Sequence, residues 1–236
     1  MSHDLAAERI DYSGEHLLED RVPADPYELF NVWLDAAFAA REQGQLAEPT
    51  AAVISTVSPE GRPSSRTVLL KGITSSTSSG AGSTGLVAGS TGVGHGFTIF
   101  TNYDSQKGRD LARNPAVALL FGWYPLQRQV RVEGTAIKVS AEESDDYFAT
   151  RPRASQLGAW ASAQSSQVDS LAQLQADYAE AERRFAGADV PRPDHWGGYR
   201  IVPEQIEFWQ GQPSRMHDRL RYLRGARDWT VVRLAP

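Results

Sequence analysis

The sequence predicts a β-rich α+β fold, with one antiparallel, barrel-like sheet and helices at its periphery. Segments with strand patterning occur on both sides of a Ser/Gly-rich stretch and again near the C-terminus. Only two of these segments precede the stretch, and two strands are too few for an independently stable sheet. We therefore predict that residues 1–236 form a single domain and that the Ser/Gly-rich stretch lies within it.

The composition is that of an ordinary globular protein, and it excludes several classes of function. A net charge of −5 provides no basic field to attract nucleic acid. The absence of cysteine excludes disulfides and thiolate metal sites, and the five histidines show no metal-ligand spacing. The N-terminal residues lack the apolar core that a signal peptide requires, and no apolar run approaches membrane-spanning length. We expect a cytoplasmic protein without metal, membrane or nucleic-acid partners.

The first predicted element is a helix that begins near Asp25. Asp25 is a suitable N-cap, Pro26 suits the first helical position, and Glu28 stands where a capping-box acid is found. Apolar residues then recur at helical spacing, and Gly44 is a suitable stop signal. Residues 1–22 precede this helix and are expected to form a flexible N-terminal segment.

Two strands follow, over residues 51–58 and 64–73, joined by the turn sequence PEGR. After the Ser/Gly-rich stretch of residues 74–96, the segment GFTIFTN predicts the next strand. The strand count favours a loop inserted between neighbouring strands over a linker between domains. We expect this loop to be exposed and dispensable, because closure entropy grows slowly with loop length.

A short helix over residues 105–114 is ended by Pro115 and leads into a hairpin. In the second strand of that hairpin, Val130, Val132 and Ala136 alternate with polar residues, which is typical of a half-buried strand. Val130 and Val132 are therefore predicted to face the core.

The chain then becomes helical, first from Ser140 to the residue before Pro152 and again over residues 171–185. Two C-terminal strands, residues 198–211 and 229–236, complete the prediction.

Tyr147, Arg151 and Ser155 are spaced by four residues, in the pattern Y-x-x-x-R-P-x-x-S. Residues four apart share one face of a helix, although Pro152 places Ser155 just past the helix break. A phenol, a guanidinium and a hydroxyl can converge on a phosphate, because all three donate hydrogen bonds. On spacing alone, a solvated helix face with an exposed arginine is the alternative interpretation.

Three further cations are candidate anion contacts. Arg66 and Lys71 lie at the two ends of an apolar strand, and their odd separation predicts opposite faces of the sheet. Lys107 lies in the first turn of a predicted helix, where a bound phosphate would offset the unfavourable position of a cation. Taken singly, each is also compatible with a solvated surface residue.

The remaining polar segments carry weaker signals. AQSSQ, residues 163–167, is rich in neutral donors, Trp209 lies near a strand end, and SRMHDR concentrates charge around His217. No nucleophile elbow, Walker loop or strand-following dinucleotide motif is present. The residues alone predict a β-rich domain with several anion contacts and do not name a reaction.

Taken together, these segments resemble the pyridoxine/pyridoxamine 5′-phosphate oxidase family of FMN-binding split β-barrels. The resemblance spans nearly the whole chain from about Arg9 and is interrupted mainly by the Ser/Gly-rich stretch. It rests on the order and spacing of several motifs, among them RTVLLKG, SQKGRDLARNP, RQVRVEG, YFATRPRAS, HWGGYRI, EFWQG, SRMHDR and RLAP.

The resemblance implies a homodimer with FMN at the subunit interface, and it implies a role for each site residue. The residues implied in FMN binding are Arg66, Thr67, Val68, Leu69, Leu70, Lys71, Phe100, Thr101, Gln106, Lys107, Gln129, Gln164, Ser165, Trp209 and Arg219. The residues implied in substrate binding are Arg9, Tyr12, Lys71, Tyr147, Arg151, Ser155, Arg215, Met216 and His217. Arg215 and His217 are the implied catalytic residues.

Two positions depart from the family pattern. Gln106 stands where a basic residue is common, so one charge toward the FMN phosphate is missing. Glu48 replaces an aspartate that often precedes Pro-Thr, which is a mild change.

The implied activity is the oxidation of pyridoxamine and pyridoxine 5′-phosphates to pyridoxal 5′-phosphate, in the biosynthesis and salvage of vitamin B6. The flavin accepts a hydride from the substrate C4′, O2 reoxidises it to give H2O2, and the amine substrate also releases NH3. One alternative is a related split-barrel flavin oxidase acting on another aromatic substrate, such as a phenazine precursor. The other is a non-catalytic protein that binds flavin or pyridoxal phosphate. The phosphate-binding cluster argues against the first alternative, and the intact SRMHDR segment argues against the second.

Overall fold

The computed structural model of the chain describes residues 11–75 and 94–236. Helices α1–α5 span Pro26–Glu42, Gln106–Arg113, Ala141–Thr150, Arg153–Ala161 and Leu171–Arg184. Strands β1–β9 span Ala51–Val57, Pro63–Leu69, Gly72–Thr74, Gly96–Asn102, Ala116–Trp123, Arg128–Lys138, Trp196–Gln210, Asp218–Arg224 and Trp229–Arg233. In hydrogen-bonding order the strands run β2-β1-β5-β6-β7-β4-β3, with β8 pairing with β7 and β9 with β8.

The chain divides into two compact units. The first comprises residues up to Ala52 together with Leu119–Glu133 and Glu204–Pro236, and the second comprises Val53–Ala118 and Gly134–Pro203. The prediction of a single domain over the whole chain remains a prediction.

Helix α1 supplies the core of the first unit. Asp25 caps it by accepting a hydrogen bond from the Tyr27 N–H, and Pro26 occupies its first position, as the sequence predicts. The Phe30 ring is fully buried and lies edge-on to Phe121, with ring centroids 5.0 Å apart. The Trp33 ring meets Phe208 in the same way at 5.3 Å. The amphipathic pattern of α1 therefore becomes an aromatic core.

The second unit contains the helices that follow β4 and β6. The Ser105 side chain caps α2 by accepting from the Gly108 N–H, and the Ser140 side chain caps α3 by accepting from the Glu143 N–H. A hydrophobic cluster joins α3, α4, α5 and the start of β7; its residues are Phe148, Leu157, Ala159, Ala181, Phe185, Val190 and Trp196.

Strands β3 and β4 pair antiparallel, with Gly72 opposite Thr98 and Thr74 opposite Gly96. The predicted loop of residues 74–96 therefore joins adjacent strands, and its residues 76–93 lie outside the described part of the chain. The expectation that the loop is dispensable stays a prediction.

Three details of the sequence prediction are wrong. The strand predicted over residues 64–73 is divided into β2 and β3, because buried Leu70 and the following Lys71 leave the strand conformation. Helix α4 was not predicted, since Pro152 was interpreted as a stop although it serves as the cap of a second helix. Strand β8 was also missed, although its buried Leu220 and Tyr222 alternate with arginines.

We predict that Phe30→Ala lowers the free energy of unfolding by about 3–5 kcal/mol, because it removes a fully buried ring and leaves a cavity. Val32→Ala on the same helix is the matched control. Its side chain is 60% exposed, and we expect a change within about 0.5 kcal/mol. Urea unfolding at fixed protein concentration measures both, and equal losses would contradict this description of the core.

Candidate active site

A cavity of about 810 Å³ opens in the second unit, a size typical of small-ligand sites. Its lining comes from β2 and the residues after it, from the end of β4, from α2, and from α3, α4 and the segment that follows. The lining residues predicted from the sequence are Arg66, Thr67, Val68, Leu69, Lys71, Phe100, Thr101, Gln106, Lys107, Tyr147, Arg151, Ser155, Gln164 and Ser165. Within the second unit, the structure thus brings together residues that are up to about a hundred positions apart.

The charge of the lining is one-sided. Arg66, Lys71, Lys107 and Arg151 are cationic, and no aspartate or glutamate is among the described residues of the lining. Such a surface attracts an anion, because each cation lacks a carboxylate neighbour inside the cavity.

Lys107 is 8% exposed, and its hydrogen-bond partners among the described residues are all neutral. Its Nζ donates to the hydroxyl of Thr101 at 3.0 Å and to the side-chain oxygen of Gln164 at 2.9 Å. Burial, and then the charge of Arg66, lower the pKa of Lys107 to about 8. The ammonium is therefore held in place and only partly compensated, which fits an anion-binding lysine.

Arg66 is oriented by a short relay. Its Nη1 donates to the hydroxyl of Thr56 at 2.7 Å, and that hydroxyl donates to the carboxylate of Asp110 at 2.7 Å. Thr56 is fully buried and Asp110 is 5% exposed. Burial lowers the pKa of Arg66, and the charge of Asp110 opposes this shift. The relay stabilises the guanidinium without placing a carboxylate on the cavity wall.

Lys71 reaches the cavity because the chain breaks between β2 and β3. Its backbone N–H donates to the carbonyl of Thr98 at 2.8 Å. Arg66 and Lys71 were predicted to lie on opposite faces of one strand and so to point apart. This is wrong: the alternation of the strand stops at Leu70, and both side chains line the same cavity. Leu70 itself is buried and does not line it.

Tyr147, Arg151 and Ser155 all line the cavity, at the junction of α3 and α4. Arg151 is the C-cap of α3, and Ser155 lies in the first turn of α4, where its N–H donates to the Pro152 carbonyl. Nη1 of Arg151 is buried without a hydrogen-bond partner among the described residues. A buried guanidinium nitrogen without a protein partner is available to an acceptor in the cavity.

Other predicted site residues form a second cluster, within the first unit. The rings of Tyr12, Trp209 and His217 contact one another, with centroids 4.6 Å apart for Trp209 and His217 and 5.5 Å apart for Tyr12 and His217. Arg215 is exposed and adopts a left-handed backbone with φ of 61°. Met216 is 66% exposed. A left-handed backbone at a non-glycine residue such as Arg215 is strained, and strained residues cluster at functional sites.

The environment of His217 favours the neutral ring and selects one tautomer of it. The backbone N–H of Gln212 donates to its Nδ1 at 3.1 Å, so this nitrogen carries no proton. Burial, and then the charge of Arg215, lower the pKa of His217 below its usual value. The neutral ring therefore carries its proton on Nε2 and can donate a hydrogen bond there.

Two neighbouring residues tie this cluster to the rest of the first unit. Buried Asp218 accepts hydrogen bonds from the Leu17 N–H and from the side chains of Gln212 and Arg233. Arg219 donates through Nε to Glu207 and through Nη1 to the carbonyl of Ala235, both at 2.8 Å.

Of the other residues predicted from the sequence, Gln129 is half-buried on β6 in the first unit, and Arg9 lies outside the described residues. Trp196, Asn102 and Ser65 line the cavity but were not predicted. Trp196 could have been found, since it belongs to the HWGGYRI motif, which was given no role. Among residues 11–75 and 94–236 no group of side chains could hold a metal ion, and no helix in these ranges has the length and apolar character to cross a membrane.

Two family profiles match the chain. Residues 39–185 match the profile described as pyridoxamine 5′-phosphate oxidase. Residues 196–236 match the pyridoxine 5′-phosphate oxidase C-terminal dimerisation region.

Curated relatives match over nearly the full length. A pyridoxine/pyridoxamine 5′-phosphate oxidase of Rubrobacter xylanophilus is 50% identical, over 99% of this chain and 97% of the relative. A protein of the same name from Burkholderia multivorans is 48% identical, over 98% of this chain and 99% of the relative.

Solved structures are similar as well. The crystal structure of PhzG from Burkholderia lata, in complex with tetrahydrophenazine-1-carboxylic acid, superposes with a TM-score of 0.78 at 29% identity, covering 95% of this chain and all of that one. A pyridoxamine 5′-phosphate oxidase-related, FMN binding protein from Nostoc punctiforme has a TM-score of 0.60 at 15% identity, covering 86% of this chain and 96% of that one, and shows the fold alone. The predicted split-barrel fold class is confirmed.

We predict that Arg215→Ala raises the pKa of His217, because it removes a positive charge that disfavours the imidazolium. Arg215→Lys keeps a positive charge and should leave the pKa lowered. Nitrogen NMR titration of the imidazole measures both variants, and it also reports which ring nitrogen carries the proton. An unchanged pKa in Arg215→Ala, or a proton on Nδ1 of the neutral ring, would contradict the geometry.

Proposed function

The chain belongs to the pyridoxamine 5′-phosphate oxidase family, and we propose that it is an FMN-dependent oxidase that makes pyridoxal 5′-phosphate. Its substrates are pyridoxamine 5′-phosphate and pyridoxine 5′-phosphate, and O2 accepts two electrons and two protons to become H2O2. The amine substrate also consumes one water and releases NH3. The observation that carries this proposal is the cavity lined by four cations and no carboxylate among its described residues.

The residues present fit FMN. Arg66 and Lys107 are cations with neutral partners, suited to a phosphate group. We assign to FMN the cavity residues Arg66–Leu69, Lys71, Phe100, Thr101, Gln106, Lys107, Gln164 and Ser165. Leu70, Gln129, Trp209 and Arg219 are assigned to FMN by the family resemblance alone. FMN, when bound, supplies the two-electron redox chemistry, and the protein supplies binding and orientation.

Gln106 is neutral where the family commonly has a basic residue. The cavity retains four cations without it, so we expect the loss of that charge to weaken FMN binding without abolishing it.

The second phosphate site is formed by Lys71, Tyr147, Arg151 and Ser155. The unpaired Nη1 of Arg151 supports this assignment, because the phosphate oxygens of the substrate would accept its hydrogen bond. Clamping the substrate by its phosphate fixes the orientation of the pyridine ring, which is the proximity effect of a held reactant.

Arg215 and His217 are assigned to the reacting end of the substrate, with Met216 and Tyr12 beside them. His217 donates a hydrogen bond from Nε2 and positions the ring, since its Nδ1 is engaged by Gln212. Arg215 places a positive charge near the reacting substituent. Arg9 is expected to join this group.

The match to the C-terminal dimerisation region supports a homodimer. We propose that FMN lies at the subunit interface, where residues of both subunits complete each site.

The similarity to PhzG supports one competing activity, the oxidation of a phenazine-like aromatic without a phosphate. The cluster of Lys71, Tyr147, Arg151 and Ser155 favours a phosphorylated substrate, because a phosphate offers more acceptor oxygens and more charge to these four donors than a single carboxylate does. A non-catalytic carrier of flavin or pyridoxal phosphate is the other competitor, and it would bind without turnover.

We expect FMN-loaded protein to consume O2 and form pyridoxal 5′-phosphate when it is given pyridoxamine 5′-phosphate. Arg151→Ala should raise KM by about ten- to a hundredfold, because a charge-assisted contact to the phosphate is lost. Arg215→Ala should lower kcat by at least about tenfold. Oxygen uptake and product absorbance measure both.

Unphosphorylated pyridoxamine is the control substrate, whose weak oxidation should not change in Arg151→Ala. Loaded protein that forms no pyridoxal phosphate would refute the proposed function. Turnover of an unphosphorylated phenazine precursor in its place would favour the PhzG-like activity.

FMN affinity should fall as the pH rises above about 8, the pKa of Lys107 in the ligand-free protein. Below that pH the ammonium is already charged, and a bound phosphate raises its pKa further. Binding therefore takes up a proton at higher pH, and the Kd should rise by up to about tenfold per pH unit. Quenching of FMN fluorescence measures the Kd.

Lys107→Arg is the matched control, because its guanidinium stays charged over this range. Its Kd should be independent of pH between about 7 and about 9.5, apart from effects common to both proteins. A wild-type Kd that is equally flat would contradict the role given to Lys107.

A further inference from the structure

Three aromatic rings lie nearly parallel beside the proposed substrate-phosphate site. The ring centroids of Phe100 and Tyr147 are 4.0 Å apart, with an angle of 14° between the planes. Trp196 is inclined by 11° to Phe100 and by 4° to Tyr147, at centroid distances of 5.6 Å and 6.2 Å. Trp196 is 6% exposed and lines the cavity.

The same indole contacts the guanidinium of Arg151. The Cζ of Arg151 is 4.5 Å from the Trp196 ring centroid and 5.3 Å from that of Phe148. The Phe148 ring meets Trp196 edge-on at 5.0 Å, which holds the indole in place. Arg151 is thus positioned by ring faces, an arrangement in which attraction comes from the aromatic quadrupole.

This kind of support has a consequence for ligand binding. A carboxylate partner would neutralise Arg151 and occupy its N–H donors, whereas a ring face does neither. Nη1 of Arg151 accordingly remains buried and unpaired among the described residues. The charge and the donors both stay available to an anion in the cavity.

The backbone opposite Phe100 accommodates this arrangement. Phe100 on β4 pairs with Gly198 on β7. A Cβ at Gly198 would lie 2.8 Å from Cε1 of Phe100 and 2.6 Å from a methyl of Val139, which is too close. The absence of a side chain at this position lets the Phe100 ring lie flat between β7 and Tyr147.

We propose that Trp196 is a positioning residue for substrate phosphate: its indole holds Arg151 and, together with Phe100, orders Tyr147. The inference rests on the proposed function and assigns the selectivity for a phosphorylated substrate to a residue that does not itself donate to the phosphate. It also gives a role to the tryptophan of the HWGGYRI motif.

The test compares Trp196→Leu, which removes the ring face, with Trp196→Phe, which retains a smaller one. The Kd for pyridoxal 5′-phosphate, measured by absorbance titration of the FMN-loaded protein, is the first readout. KM and kcat for pyridoxamine 5′-phosphate are the second. We expect Trp196→Leu to raise Kd and KM about tenfold with kcat nearly unchanged, and Trp196→Phe to recover most of the loss.

The effect should also depend on Arg151. In an Arg151→Ala background, replacing Trp196 should weaken pyridoxal 5′-phosphate binding much less, because only its support of Tyr147 remains. Should Trp196→Leu fail to fold, Trp196→Phe replaces it in this cycle, with an expected rise in Kd of about two- to threefold that becomes smaller in the Arg151→Ala background.

An unchanged Kd in Trp196→Leu, equal impairment of the leucine and phenylalanine variants, or an undiminished effect without Arg151 would each overturn the proposal. Wild-type protein that neither binds pyridoxal 5′-phosphate nor oxidises pyridoxamine 5′-phosphate would refute the proposed function instead. The two failures are therefore distinguishable.

Discussion

Positive charge without carboxylate partners is the constraint on which the cavity of the second unit depends. Three of its four cations are held in place by groups that leave the charge available. Lys107 uses hydroxyl and amide oxygens, Arg151 uses ring faces, and Arg66 uses the Thr56 hydroxyl, which separates it from Asp110. Burial of these groups is unfavourable by itself, as the lowered pKa of Lys107 shows. An anion in the cavity removes that penalty, and binding energy comes from relieving it.

In the first unit, by contrast, a buried carboxylate is paired with arginines. Glu207 is 4% exposed and accepts from Arg219 and Arg221. Burial alone would raise the pKa of this carboxyl, but the two arginines outweigh it and lower the pKa. The charges of Glu207 and its arginines therefore fix the positions of these side chains. The cations of the cavity, by contrast, keep their charge available to a ligand.

Local signals in the sequence predicted much of the fold. The caps Asp25 and Ser140 each act over three residues or fewer, so their partners can be found in the sequence itself. Helical spacing likewise predicted that Tyr147 and Arg151 lie on the same side of a helix. The four-residue interval does not require an unbroken helix, since Ser155 reaches the cavity from the next one.

What the sequence could not provide depends on contacts between distant segments. The break after β2 depends on the hydrogen bond from the Lys71 N–H to the Thr98 carbonyl, and no local sequence pattern predicts it. The support of Arg151 by Trp196 joins residues 45 positions apart, as their numbers in the sequence show. Strand β8 is a separate case, because its strand pattern is local: arginines alternate with Leu220 and Tyr222. The many charged residues of this segment make it resemble a surface loop.

The pairing of Thr74 with Gly96 has a consequence for how this chain can change over evolutionary time. The sheet constrains where the intervening chain leaves and where it returns, and it places no demand on the number of residues between these points. Each doubling of such a connection costs only about 0.6 kcal/mol of closure entropy. We therefore expect that residues can accumulate or disappear here while the strand register is kept. For the same reason, we expect this position to accept a folded reporter domain with closely spaced ends.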